Sequence, residues 1–209
     1  MKGNELVWRT LADHALEGVR RWDNLADLGF KAGVPVSTAH LATQRLVDIG
    51  AMSRYSSGGF SVVNPEKVLT LLCAWRNLRK DAIAHTTFEG FQDVVQHLTA
   101  PFARGGPDAA IHFLGGSNTV ADFSQTLAYV KAPVDEVTWP EGNEVTVLPM
   151  DERAALDWDG YSSVAQTYAD LFATPGWQAS EFRLALHDEF LAVRDWDQPE
   201  AHDGGNQHR

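Results

Sequence analysis

Ser37, Thr38, His40, Leu41, Gln44 and Arg45 share one side of a segment whose other side, Ala39, Ala42, Leu46 and Ile49, is apolar at helical spacing. Their types suit reading a nucleic-acid duplex. A glutamine amide bonds bidentately to adenine, an arginine reaches guanine or a phosphate, and short hydroxyls at a helix start suit phosphate oxygens. The free backbone amides of the same helix start offer one more phosphate contact. The small alanines let a preceding helix approach closely, and no carboxylate precedes Asp48 on the polar face.

The flanking segments are the ones that could hold such a helix in place. A short helix over Asp23–Ala32 is broken by Gly33-Val34-Pro35, and the second helix opens at Ser37 and closes at Ile49-Gly50. Met52–Val63 alternates about Gly58-Gly59 as a two-stranded wing, with Arg54 and Tyr55 before the tip, placed to touch the adjacent backbone or minor groove. An earlier helix, Glu5 to about Val19, carries Leu6, Thr10 or Leu11, His14, Ala15 and Val19 in a stripe and is expected to pack over the pair. This is the pattern of a winged helix-turn-helix, whose second helix enters the major groove. Winged helices also serve in protein contacts alone. After the wing, Asn64 is a good N-cap and Pro65 a good first residue for a helix to about Asp81, whose basic end, Arg76 to Lys80, could lie near a phosphate backbone.

The net charge of −11 is unevenly spread. Residues 1–80 carry 11 Lys and Arg against 7 Asp and Glu, a net of +4; residues 81–209 carry 6 against 21, a net of −15. Phosphate binding depends on local charge, so the first part favours DNA and the second would be repelled by it, suiting solubility, dimer contacts or a basic protein partner. With 209 residues and 44% hydrophobic content, one or two ordinary cores are expected. No run of about 18 apolar residues occurs and the start lacks a secretory apolar region, so a soluble, cytoplasmic protein without membrane contact is expected. The single cysteine, Cys73, lies in an apolar helical stretch and reads as a buried small hydrophobe.

Beyond Ala82 the pattern predicts a helix from Phe88 to about Leu98 and a buried strand over Ala109–Leu114. It then predicts a helix over Asn118–Leu127 and strands over Ala128–Lys131, Glu136–Trp139 and Glu144–Leu148. Ser162–Phe172 and Gln178–Val193 read as closing helices joined by Thr174-Pro175-Gly176. The expected fold class is α+β: a winged helix-turn-helix at 1–80, a mixed α/β domain at 82–195 ending in two helices, and a flexible tail at 196–209.

Three stretches carry a family resemblance: the Gly33-to-Gly50 helix pair, Phe113-Leu-Gly-Gly-Ser-Asn-Thr-Val-Ala121, and Ser162-Ser-Val-Ala-Gln-Thr-Tyr-Ala-Asp-Leu-Phe172 followed by Pro175-Gly176. The whole resembles the AbiEi-type antitoxins of type IV toxin–antitoxin systems. The third stretch is similar to the family's Ser-Pro-x-Gln-x-Tyr-x-Asp-Leu, with Val164 where the proline is frequent and Trp177-Gln-Ala-Ser where basic and acidic residues are common after the glycine. The resemblance implies an autorepressor that neutralises a partner toxin, usually a nucleotidyltransferase.

Other chemistry finds less support. Leu114-Gly-Gly-Ser117 is like the start of a nucleotidyltransferase, but such a metal site needs carboxylates alternating on the next strand, and Asp135 and Glu136 are adjacent and point to opposite faces. The eight histidines do not pair at ligand spacing, and no Cys cluster or His-Glu-x-x-His is present. Ser117, Ser162 and Ser163 read as caps or turn residues. The expectation is therefore no enzyme, no cofactor and no metal. Asp157, Trp158 and Asp159 read as a solvated acidic surface or a partner contact; Trp139, Trp158 and Trp177 read as core or lid residues. Expected partners are the protein's own operator DNA, a toxin and a second copy in a homodimer. The alternative is a one-component regulator whose second domain binds a small molecule.

Overall fold

A computed structural model of the chain describes residues 2–98, 101–131, 137–194 and 196. Its first helix, α1 (Gly3–Leu16), turns Val7, Trp8, Leu11, Ala12 and Ala15 into the core at helical spacing. It ends before Val19, where Gly18 takes a φ of +96° and the chain enters β1 (Arg21–Trp22). The next helix, α2 (Leu25–Ala32), starts on Asn24, whose side chain accepts from the Asp27 N–H at 2.8 Å, and stops at Gly33 in the left-handed region. Pro35 then opens α3 (Val36–Asp48). The strands β2 (Met52–Arg54) and β3 (Phe60–Val62) form an antiparallel hairpin, and β1 adds to β3 in the order β1-β3-β2. At the hairpin Gly59 has a φ of +79°, and a Cβ there would lie 2.6 Å from the Trp22 carbonyl oxygen, so the turn requires glycine.

Asn64 caps α4 (Pro65–Trp75), accepting from the Lys67 N–H at 3.0 Å with Pro65 at the helix start. The helix does not run on to Asp81: Arg76 is extended, and a separate turn, α5 (Leu78–Asp81), begins on Asn77. There follow β4 (Ala84–Thr86), α6 (Phe88–His97), β5 (Phe102–Gly105), α7 (Gly106–Phe113), β6 (Thr126–Val130) and β7 (Val145–Pro149). The chain closes through α8 (Ala154–Asp157), α9 (Val164–Ala173) and α10 (Trp177–Phe190). The second sheet has the order β4-β7-β6-β5, with β6 and β7 parallel and both outer pairs antiparallel. The fold is thus mixed α+β, with ten helices and two small sheets among the described residues.

Several expectations for the second half are overturned. Ala109–Leu114 is not a strand: it lies in α7 and its C-cap, because Pro107 occupies a helix start where its missing N–H costs nothing. Short buried apolar runs look alike in strand and helix, and Ala109 and Ala110 are fully buried here. Asn118–Leu127 is not a helix either. The Asn118 carboxamide folds back on the chain, accepting from the Val120 N–H at 3.1 Å and donating to the Ala121 carbonyl at 2.8 Å. That local bonding competes with a helix, and β6 begins at Thr126. Of Glu136–Trp139, Glu136 is outside the described residues and the rest forms no strand. The short strands β4 and β5 had no sequence counterpart. Of the tail, Trp196 packs under Arg20 and Arg194, its carbonyl accepting from Arg20 at 3.1 Å; residues 197–209 are outside the described residues.

The largest apolar cluster takes in Val7, Trp8 and Leu11 of α1, Leu46 of α3 and Leu69 and Leu72 of α4. It continues into Leu171, Phe182 and Leu186 of α9 and α10, across the boundary expected at residues 80–82. On the second sheet, β6 alternates as a strand should: Leu127 and Tyr129 face one cluster, Ala128 and Val130 another.

A buried polar junction fastens these layers. From the end of α4, Arg76 donates to Asp170 of α9 at 2.7 Å, to the Tyr129 hydroxyl of β6 at 2.9 Å, and to Asp81 of α5. The Tyr129 hydroxyl donates to the other Asp170 oxygen at 2.5 Å, and the Gln166 amide donates to Asp170 at 2.9 Å. Arg76 is therefore turned inward and buried, while Arg79 and Lys80 of the same basic stretch stay exposed. Removing one member of such a pair leaves the other charge buried and unmatched, which costs roughly 3–5 kcal/mol. Asp170→Ala is expected to lower unfolding stability by about that amount, and Tyr129→Phe, which leaves an Arg76 N–H and an Asp170 oxygen without their partner, by roughly 2–3 kcal/mol; urea unfolding of the full chain measures both.

Candidate functional site

The exposed face of α3 is laid out as its spacing predicts. Ala39, Ala42 and Leu46 are fully buried and Ile49 partly so, with Thr43 also buried. The Trp8 indole N–H donates to the Ala42 carbonyl at 3.1 Å and so fixes α3 against α1. Ser37, His40, Leu41, Gln44 and Arg45 are exposed, Leu41 at 67%. Thr38 is only partly exposed, because its methyl meets the start of α1: a Cβ at Gly3 would lie 2.7 Å from Thr38 Cγ2.

The hairpin lies alongside this face. Arg54 donates to the Gln44 carboxamide oxygen at 3.3 Å, and the Gln44 amide donates to Asp48 at 3.0 Å, so a chain of three side chains crosses from β2 to the end of α3. Tyr55 is exposed, and the guanidinium of Arg21 in β1 stacks on its ring at 5.1 Å. Lys67 donates to the Ile49 carbonyl at 2.9 Å, placing a cation where the α3 dipole is negative. Arg21, Arg45, Arg54 and Lys67 thus form an exposed basic border around α3. Sequence reasoning missed Arg21, which reaches the site through the pairing of β1 with β3, a register no local pattern announces. Asp48 was read only as the first carboxylate on the polar face, and its four-residue spacing from Gln44 was the available signal for the bond between them.

The Asp157-Trp158-Asp159 stretch lies elsewhere, on the wall of a cleft of about 520 Å³ between α1, residues 153–164 and the end of α7. Trp158 is half-buried, with its ring edge-on to Tyr129 at 5.0 Å and the Arg9 guanidinium over it at 5.2 Å. Arg9 is itself held by both oxygens of Asp151, at 2.7 and 3.0 Å. Burial alone would raise the Asp151 pKa, but this bidentate pair outweighs it and holds the carboxyl below its ordinary range. His112 stacks on Tyr161 with ring centroids 4.1 Å apart and planes 6° apart. Arg153 lies over the Phe30 ring at 4.4 Å and donates to the Phe30 carbonyl, so this wall touches α2.

One carboxylate of the cleft is unusual. Burial pushes the Asp13 pKa from 3.8 up to about 6, against the pull of the Ser163 hydroxyl, the Ala165 N–H at 2.9 Å and the charge of Arg9. Neither Arg9 nor Asp13 was legible in the sequence, because charged residues on a helix ordinarily face solvent and nothing local marks these two as facing the cleft. Among the described residues no cluster of histidine, cysteine and carboxylate side chains could hold a metal ion. Cys73 is buried, and burial pushes its thiol up to about 12. No described helix is long and apolar enough to cross a membrane.

Compared with protein-family models, curated proteins and solved structures, the chain matches none.

An aspartate with a raised folded pKa binds its proton more tightly folded than unfolded. Its contribution therefore favours the folded chain at the acid end and is withdrawn as pH rises from 3.8 through about 6. Asp13→Asn removes that slope. Between pH 4.5 and 7 the wild type is expected to lose about 2 kcal/mol relative to the variant, read as the difference between their urea-unfolding free energies at the two pH values.

Proposed function

We propose that residues 3–63 act as a winged helix-turn-helix that binds duplex DNA, with α3 as the major-groove helix and β2–β3 as the wing. The observation that carries this reading is the exposed polar row on α3, Ser37, His40, Gln44 and Arg45, bordered by Arg21, Arg54 and Lys67 and joined to the hairpin by the Arg54–Gln44 bond. Gln44 and Arg45 supply the base contacts, Ser37 and the helix start a phosphate contact, and Arg54, Tyr55 and Arg21 the backbone beside the groove. Each good bidentate base contact is worth roughly 1–3 kcal/mol. Gln44→Ala with Arg45→Ala is therefore expected to weaken binding to the DNA upstream of the protein's own reading frame by on the order of a hundredfold in a gel-shift titration. Unchanged affinity would refute the assignment of α3.

The reading extends to an autorepressor and antitoxin on two supports. One is the resemblance carried by residues 33–50, 113–121 and 162–176. The other is the charge division of +4 for residues 1–80 against −15 for residues 81–209, which keeps DNA to one end and offers the other to a basic protein. The toxin would be a nucleotidyltransferase encoded beside this protein. Co-expression with the neighbouring gene product is expected to restore growth and to give a co-purifying pair; failure of both would remove the antitoxin part and leave DNA binding standing.

A further inference from the structure

The cleft beside α1 has the size of a small-ligand site, about 520 Å³ against a usual range of roughly 300–1,000 Å³. Its charges are not all free to meet a ligand. Arg9 is engaged by Asp151 and by the Trp158 ring, and Arg153 by the carbonyl and ring of Phe30. Glu17 lies 3.5 Å from His14. Asp157 and Asp159, by contrast, are exposed and form no ion pair among the described residues, while Asp13 lies deeper with its charge disfavoured by burial. Among the described residues Lys31, on the rim, is the cleft cation with no hydrogen bond or ion pair, set against Asp13, Asp157 and Asp159. The cleft is also lined by Trp158, with the Arg9 guanidinium over its ring, and by the Tyr161–His112 stack.

We propose that this cleft binds a planar aromatic cation, an aromatic amine, amidine or quaternary nitrogen compound, with Asp157, Asp159 and Asp13 as counter-charges and Trp158 and Tyr161 as the stacking surface. Carboxylates beside aromatic faces attract an organic cation by charge and by the ring quadrupole together. An aromatic anion of the same size would meet three carboxylates. The site requires no DNA, so the inference stands or falls apart from the function proposed above.

Titrating the full chain, without DNA, with the planar quaternary cation berberine tests it. Saturable one-to-one binding in the micromolar range is expected from the rise in berberine fluorescence. Asp157→Asn with Asp159→Asn, two exposed positions where folding is not at stake, is expected to raise Kd about tenfold, and Asp13→Asn to raise it as well. Leu184→Ser, on the outer side of α10, is expected to leave it unchanged. The proposal is overturned if no saturation occurs below millimolar berberine, if the double carboxamide variant binds as the wild type does, or if the anion 1-anilinonaphthalene-8-sulfonate competes with equal affinity.

Discussion

The guanidinium of Arg76 is the fixed point of this molecule. It sits where α4 has ended and the chain must turn toward the second sheet, and it binds at once to α5, β6 and α9. Burial would by itself disfavour the arginine's charge, yet the Tyr129 and Asp170 partners drive its pKa upward, and burial holds the Tyr129 hydroxyl protonated well above its ordinary range. A charge so placed tolerates little rearrangement, because every donor direction that loses its acceptor leaves an unsolvated N–H. That stiffness sets where β6 meets α9, and with it the position of Trp158, whose ring rests edge-on against Tyr129. The aromatic wall of the cleft is thus built outward from the junction.

The two candidate surfaces differ in how they are made. The α3 face is assembled from neighbours in sequence: Asn24, Gly33 and Pro35 set the helix pair, and Gly58 and Gly59 turn the hairpin back over it. The cleft is assembled from distant parts, with Asp13 bonded to Ala165 across 152 positions and Arg9 to Asp151 across 142. One surface is exposed and bordered by cations; the other is recessed and holds more free carboxylate than free cation.

That contrast explains what the sequence discloses. The helix pair, the hairpin, the Asn64–Pro65 helix start and the closing helices were legible because caps, breakers and apolar spacing are local properties. The face of α3 followed from the same periodicity, down to the buried alanines. The region from Ala109 to Leu127 was misread because its residues answer to signals a linear pattern does not rank. Pro107 can break a helix or begin one, and Asn118 can cap a helix or close a turn on itself. The break after Trp75 was hidden for a different reason: nothing near Arg76 announces that its partner is Asp170. The Gln166–Asp170 spacing that stood out as a motif turns out to serve this buried junction.

Arg153 reaches from the second half of the chain to the α2–α3 turn, lying over Phe30 with its Cγ 3.1 Å from where a Cβ at Gly33 would stand. The bend that aims α3 is therefore braced by a residue more than a hundred positions away. This makes residues 1–80 a poor candidate for a portable cassette. Grafted onto another protein, the helix pair would lose the strut on its turn and the α9–α10 floor beneath α1 and α4, and the pitch of α3 would be set by whatever replaced them. Inheritance and engineering alike have to treat the two halves of this chain as a single unit of exchange.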